Sequence, residues 1–381
     1  MFSSRLEGKP VLVADIGDGS VAVSFVTMGR SPVEVHASAR AMLPFEDRSR
    51  EQTLVAITNC FKDTTEKLLK AYLQKGGTAP HAVHVVLRAP WTRFRTARAD
   101  GTFEKEQAIT KELIAQYAKK ALAQQSELDR ANILEAGVMQ VFLNGYPTGE
   151  PLGKRASSIG VVAFESDADS VMKKAITEEA GALLPDRPLT IRSGMRALLV
   201  VMQEYLPEMQ RFFLIDMGGA TTACAVVRKD AITQYAAASE GLATILKRVA
   251  GGGLPEETMS LLRMLAADAC SSSACEALKD SLARAEPDLV RAFGEVFTSL
   301  AGVRRLPNAA ILAAPLELSP WLQGFFSRID FSQFTTTTQP FTVETLTPEH
   351  LQDSVSWGKE GTPDAGIATA ALGVQLMAQS T

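Results

Sequence analysis

Two short stretches of this chain carry aspartate and glycine in a pattern suited to holding a phosphate. Val11 to Phe25 reads VLVADIGDGSVAVSF, and Leu214 to Val227 reads LIDMGGATTACAVV. In each, an Asp-x-Gly separates two runs with the composition of buried strands. A glycine turn between antiparallel strands exposes backbone N–H groups with no Cβ in the way, and such concavities bind anions. An aspartate at the mouth can hold a hydrated magnesium ion. The first hairpin offers Asp15, Gly17 and Ser20; the second offers Asp216, Gly218, Gly219, Thr221 and Thr222. One glycine hairpin is most often only a hairpin. Two of them, each opening a similar meander, could grip a nucleoside triphosphate from both walls of a cleft, with Asp15 and Asp216 on its magnesium.

The elements that would position these loops are legible from periodicity. Residues 10–43 hold three apolar, β-branched runs, VLVADI, VAVSFVTM and VEVHASARAML, parted by GDG and GRSP, an antiparallel meander. Residues 48–75 have helical spacing and stop at Gly76-Gly77, and HAVHVVLRAP returns as a strand. From Trp91 the texture changes. TRFRTARAD alternates as an exposed strand, residues 103–125 read as one long amphipathic helix, and two strands follow, joined by the turn-rich PTGEPLGKRA. A closing helix begins near Asp167 or Asp169, either of which could cap it. This strand-helix-strand-strand unit predicts an inserted domain over residues 91–183, inside a first half comprising 1–90 and 184–210. Residues 211–381 form a second half that repeats the meander, with a helical subdomain over about 240–305. Residues 331–340, FSQFTTTTQP, read as a surface loop.

Composition narrows the class. The chain has 381 residues, net charge -4 and 46% hydrophobic content, values of an ordinary globular protein rather than a nucleic-acid binder or a disordered chain. No apolar run approaches the roughly 18 residues that span a bilayer, so the expected location is cytoplasmic. Cys60, Cys224, Cys270 and Cys275 are too sparse for a disulfide framework and lack a matching histidine set, so free thiols are expected. His81 and His84 read as half-exposed strand residues.

The hairpin pair resembles the first and second phosphate loops of the actin-like ATPase superfamily, and the rest of the chain follows that pattern nearly end to end. The resemblance implies an α/β, ribonuclease-H-like duplicated fold. The inserted unit in the first half narrows it to the branch of the division protein FtsA and the type IV pilus assembly protein PilM. Ser239 to Leu265, SEGLATILKRVAGGGLPEETMSLLRML, looks like the family segment in which a glycine turn opens a helix that a second helix follows. PDAGIATAALGVQLM resembles the closing segment that returns to the first half.

The departures from the family pattern carry as much information. Ala22 stands where relatives often carry a phosphate-reaching lysine, and Asp18 adds a negative charge facing the polyphosphate position. Ala223 replaces an aspartate after the threonines. The connecting segment IRSGMRAL has Ser193 and no acid nearby, where relatives orient the attacking water. Ala313-Ala314-Pro315 replaces the adenosine-side glycines. Each lost charge-assisted phosphate contact costs about 1.5–3 kcal/mol, enough together to move a micromolar site towards millimolar. Hydrolysis suffers further, since phosphoryl transfer needs a positioned water and neutralised charge.

The expectation is therefore a degenerate member with weak or lost nucleotide binding and no catalytic residue. By resemblance it is a scaffold of a type IV pilus or type II secretion inner-membrane platform, binding the cytoplasmic tail of a bitopic, PilN-like membrane partner. An FtsA-like, ATP-binding filament protein is the alternative, and self-association fits either. Against FtsA, the stretch AALGVQLMAQST has no basic face for direct membrane anchoring. Arg93, Phe94 and Arg95 are groove candidates that read more simply as exposed-strand residues.

Overall fold

The computed structural model describes residues 8–205, 209–229, 231–270, 273–302, 304–315 and 318–379. Strands β1 (Pro10–Ile16), β2 (Ser20–Thr27) and β3 (Val33–Met42) form the first meander, and helix α1 (Arg50–Gln74) leads to β4 (Val83–Leu87), parallel to β1. Next come β5 (Thr92–Ala108), α2 (Lys111–Leu122), β6 (Ile133–Leu143), β7 (Tyr146–Thr148), β8 (Arg155–Ala168) and α3 (Ser170–Leu183). Then β9 (Leu189–Ser193) and α4 (Gly194–Tyr205) precede the second meander of β10 (Arg211–Met217), β11 (Thr222–Arg228) and β12 (Ala231–Ala238). Helices α5 (Leu242–Ala250), α6 (Pro255–Ala266) and α7 (Ser273–Ala301) lead to β13 (Ala309–Ala313), α8 (Ser319–Phe326), β14 (Thr342–Thr345), β15 (Val355–Glu360) and α9 (Ala365–Gln379).

These strands make three sheets. One has the order β15-β3-β2-β1-β4-β9, the second β12-β11-β10-β13-β14, and the third β5-β8-β6-β7. The run β3-β2-β1-β4-β9 and the whole second sheet match in order and in strand sense: two antiparallel pairings, then two parallel ones. The fold is thus duplicated, and the third sheet is made only of strands between Thr92 and Ala168.

Strand alternation decides what faces the middle. Along β1, Val11 and Val13 join the central core while Leu12, Ala14 and Ile16 pack outward under α1 and α3. Along β10, Phe212 and Leu214 point to the same central core, and Phe213, Ile215 and Met217 point to the helices of the second half. The period of two therefore carries Asp15 and Asp216 to the inner faces, towards each other. Helices α4 and α9 fill the space between the sheets. α9, AGIATAALGVQLMAQ, is apolar nearly all round, as a helix enclosed on every side must be.

Several expectations change. Residues 103–108 are strand, not helix: Gln107 and Ala108 pair with Ala156 and Arg155 after a bulge, and α2 begins only where Thr110 Oγ1 accepts from Leu113 N at 3.2 Å. The ladder to β8 outweighs helix propensity there. The turn-rich PTGEPLGKRA contributes Pro147 and Thr148 to the short strand β7. Residues 331–340 are anchored, because Phe331 is buried against Phe297, Phe325 and Phe326 and Thr335 is fully buried. Cys270 and Cys275 are a disulfide, not free thiols; the short connection from α6 into α7 brings their Cα atoms to 5.6 Å. Of the two candidate caps for α3, Asp169 accepts from Met172 N at 2.8 Å.

His84 is buried rather than half-exposed, since β4 lies between β1 and β9 in the sheet. Among the described residues neither ring nitrogen has a partner, and burial, aided by the charge of Arg192, lowers its pKa to about 4. A base with a depressed folded pKa stabilises the fold fully above its unfolded pKa, and that stability is lost as pH falls. Between pH 7 and pH 5 the loss from this residue is about 2 kcal/mol. Urea unfolding at both pH values should show that difference shrinking in His84→Val; an unchanged pH dependence in the variant would assign it elsewhere.

Candidate functional site

Both glycine hairpins close with the same geometry. Gly17 N donates to Ser20 O at 3.0 Å, and Gly218 N donates to Thr221 O at 2.8 Å. The register places Asp15 opposite Ala22 and Asp216 opposite Ala223, so the two alanines noted in the sequence occupy equivalent places. The eight sequence-predicted residues thus lie on two related turns that face each other across the central core.

What fills the space between them is protein. Arg88, just beyond the end of β4, donates from Nε to Asp15 Oδ1 and from Nη1 to Asp216 Oδ1, each at 2.5 Å. Its guanidinium stands between the two carboxylates that the sequence assigned to magnesium. Burial disfavours its charge, but the two carboxylates outweigh burial and hold its pKa above the ordinary arginine value. Asp216 is 5% exposed; burial raises its pKa, Arg88 opposes that, and Asp15 adds to it.

A second arginine extends the chain of charges. Arg40 on β3 reaches Asp15 Oδ2 at 3.1 Å and binds Asp364 through Nε at 2.7 Å and Nη2 at 2.9 Å. Its Nη1 donates to Ser20 Oγ at 2.9 Å, so the hydroxyl predicted for phosphate already has a partner. Asp364 accepts from Ile367 N at 2.9 Å as it leads into α9. Charges alternate along Asp364, Arg40, Asp15, Arg88 and Asp216, and every neighbour is of opposite sign.

The anion position is filled as well. Asp18, from the first turn, accepts from Gly219 N at 2.5 Å and from Ala220 N at 2.9 Å. Its carboxylate occupies the backbone concavity of the second loop. Burial raises its pKa, and the N–H groups of Ala220 and Gly219 work the other way. The loops themselves touch: a Cβ placed on Gly19 would lie 2.7 Å from Gly219 Cα, so both positions need glycine for this close approach. Thr222 is fully buried and donates to Glu240 O at 2.6 Å, a structural bond rather than a ligand contact. In this geometry the eight residues do not fit a magnesium-bound triphosphate, since an arginine stands between the carboxylates and a carboxylate on the amides.

Other residues were missed from sequence. Glu135, from β6 of the third sheet, accepts from Ser193 N at 3.1 Å and lies 3.5 Å from Arg192, so a carboxylate does reach the connecting segment, through space. Burial raises its pKa, opposed by Ser193 N and the nearby arginines. Arg88 could have been flagged by the repeat: it lies two residues beyond Val86, the parallel partner of Asp15, where the second half has Pro315, two beyond Ala313, the partner of Asp216. Of the groove candidates, Arg93 pairs with Asp167, Arg95 binds Glu165 at 2.6 Å, and Phe94 is buried against Phe164. Phe94 is thus no exposed-strand residue, because β5 turns it towards the second half.

Removing one partner of a buried ion pair leaves the other uncompensated, at about 3–5 kcal/mol. Arg88→Ala should destabilise by that order, and Arg88→Ala/Asp216→Ala should be less destabilised than the two single losses summed. A double-mutant cycle from denaturant midpoints measures this; strict additivity would show the bridge contributes nothing.

The sequence matches no family model, and no curated protein matches it. Solved structures do resemble it in fold. It is similar to a chain of the PilM–PilN type IV pilus biogenesis complex, with a TM-score of 0.60 at 14% identity, covering 96% of this chain and 98% of that one. The ethanolamine utilization protein EutJ from Carboxydothermus hydrogenoformans aligns over 98% of this chain and 91% of its own at TM-score 0.49 and 12% identity. The likeness to the chain of the PilM–PilN complex shows the fold alone, an actin-like duplicated α/β fold.

Proposed function

We propose that this chain is an actin-fold scaffold that holds a segment of a membrane-protein partner, and that its cleft is a fixed structural joint rather than a nucleotide switch. The observation carrying this reading is the pair Arg88 and Asp18, a cation between the metal-type carboxylates and an anion on the phosphate-type amides. Both positions that a magnesium nucleotide needs have covalently tethered competitors. A ligand would have to break charge-assisted hydrogen bonds at each. No catalytic role is assigned to any residue.

The similar PilM chain belongs to a complex with PilN. By that analogy the partner is a PilN-like bitopic protein, the setting a pilus or secretion platform, and the location the inner membrane through that partner. The place for a peptide is a groove of about 440 Å³ between α2 and β6, with Ile114, Ala115, Val138, Met139, Pro151 and Leu152 in its walls and Lys111 at its rim. β7 pairs only with Val141, Phe142 and Leu143 of β6, so β6 borders the groove as a strand to which an extended peptide can add.

Synthetic peptides covering the cytoplasmic segments of bitopic membrane proteins encoded beside this chain provide the test. One should bind the full chain with an affinity that Mg-ATP leaves unchanged, and Val138→Glu should weaken it at least tenfold, about 1.4 kcal/mol, with the same melting temperature. Binding that requires ATP, or that Val138→Glu leaves intact, would overturn the reading.

A further inference from the structure

Five cationic side chains from three segments meet at one end of the second sheet. Arg211 opens β10, Arg228 closes β11 directly opposite it in the ladder, Lys229 follows in the turn, and Arg304 and Arg305 lie between α7 and β13. Arg228 donates to the carbonyls of Arg304 and Arg305, and Arg305 donates to Gln333 O at 2.9 Å, which ties the segments together. Arg211, Lys229, Arg304 and Arg305 are exposed. Among the described residues none of the five has a carboxylate at ion-pair distance. Asp230, next in the chain, lies outside them.

This arrangement is unfavourable in isolation. Like charges directly opposite in an antiparallel pair repel, and burial together with Arg304 and Arg211 holds the Arg228 pKa below its usual value. A chain of net charge -4 has carboxylates to spare, yet none of those described is placed here. Convergence of uncompensated arginines at the ends of strands is what an anionic partner would neutralise.

The patch adjoins apolar surface. Gln140 of β6 donates to Lys229 O, and Ile232 N donates to Met139 Sδ at 3.1 Å, which brings β6 against the β11–β12 turn. Beside them on the same wall, Val138 is 39% and Leu152 49% exposed. Cations next to exposed aliphatic side chains suit the headgroup region of a bilayer, where charge meets phosphate and the apolar groups meet the acyl boundary. The cations lie on strand ends and a connection rather than around a cavity, so they offer a face and not a pocket for one free anion.

We propose that this face binds the phosphate headgroups of an anionic lipid bilayer, peripherally and without insertion. The inference shares Val138 and Leu152 with the peptide groove but is carried by the five cations outside it, and it needs no protein partner. Each cation near such a surface strengthens binding about fivefold.

The full chain should co-sediment with vesicles of phosphatidylcholine mixed with phosphatidylglycerol and not with phosphatidylcholine alone. Binding should fall steeply as salt shortens the Debye length below about 8 Å. Arg211→Glu/Arg304→Glu should lose at least tenfold, while Arg284→Glu, on the exposed face of α7, should not. If the first pair fails to fold, judged by its melting curve, Lys229→Gln/Arg305→Gln should give a smaller loss in the same direction. Equal sedimentation with both vesicle types, or binding indifferent to folded variants, would overturn the proposal. So would saturation by inorganic phosphate alone, which indicates a free-anion site, or retention of soluble polyglutamate with no retention on vesicles, which indicates an acidic protein partner.

Discussion

One guanidinium fixes the centre of this molecule. Arg88 sits between Asp15 of the first sheet and Asp216 of the second, and the three groups are nearly excluded from solvent. Two carboxylates brought to facing inner surfaces by strand alternation would repel in a low-dielectric interior, so something positive must stand between them. An arginine suits the place because it remains charged when buried and presents donors in a fixed fork. From it the alternation runs outward through Arg40 to Asp364, and so to the start of α9, the helix that closes the central core. The glycine contact between Gly19 and Gly219, and Asp18 on the amides of the second loop, follow from the same closeness.

Much of this was legible in residue order. Alternating apolar residues marked both meanders, and the Asp-x-Gly repeats marked the two turns, because both signals are local. The resemblance to the actin-like ATPases followed from the pair of turns and the intervening strands. What stayed hidden depends on contacts between distant segments. Arg88 in VVLRAP looks like any residue after a strand, and only the parallel pairing of β4 with β1 brings it to Asp15. Glu135 reaches Ser193 across 58 residues. Phe331 reads as part of a polar, low-complexity loop until Phe297, Phe325 and Phe326 surround it. The start of α2 was misplaced because residues 103–108 have helix-compatible composition, while β5 runs on through them and its end, Gln107 and Ala108, pairs with β8.

The same scaffold can support a switch or a joint, since a fold does not fix what its cleft does. Here the departures from the family pattern at positions 22, 223 and 313–315 stand beside Asp18 and Arg88, which fill the cleft from within. In this geometry the electrostatic needs of the site are met by side chains. The proposed partner surface lies around the third sheet, where the groove between α2 and β6 lies beside the turn after β11.

The most direct measurement is a calorimetric titration of the purified chain with Mg-ATP, beside Asp15→Ala and Thr221→Ala. The account predicts no saturable heat up to millimolar nucleotide in any of the three. Saturable binding at micromolar affinity, lost in both variants, would contradict it and make the cleft a working nucleotide site.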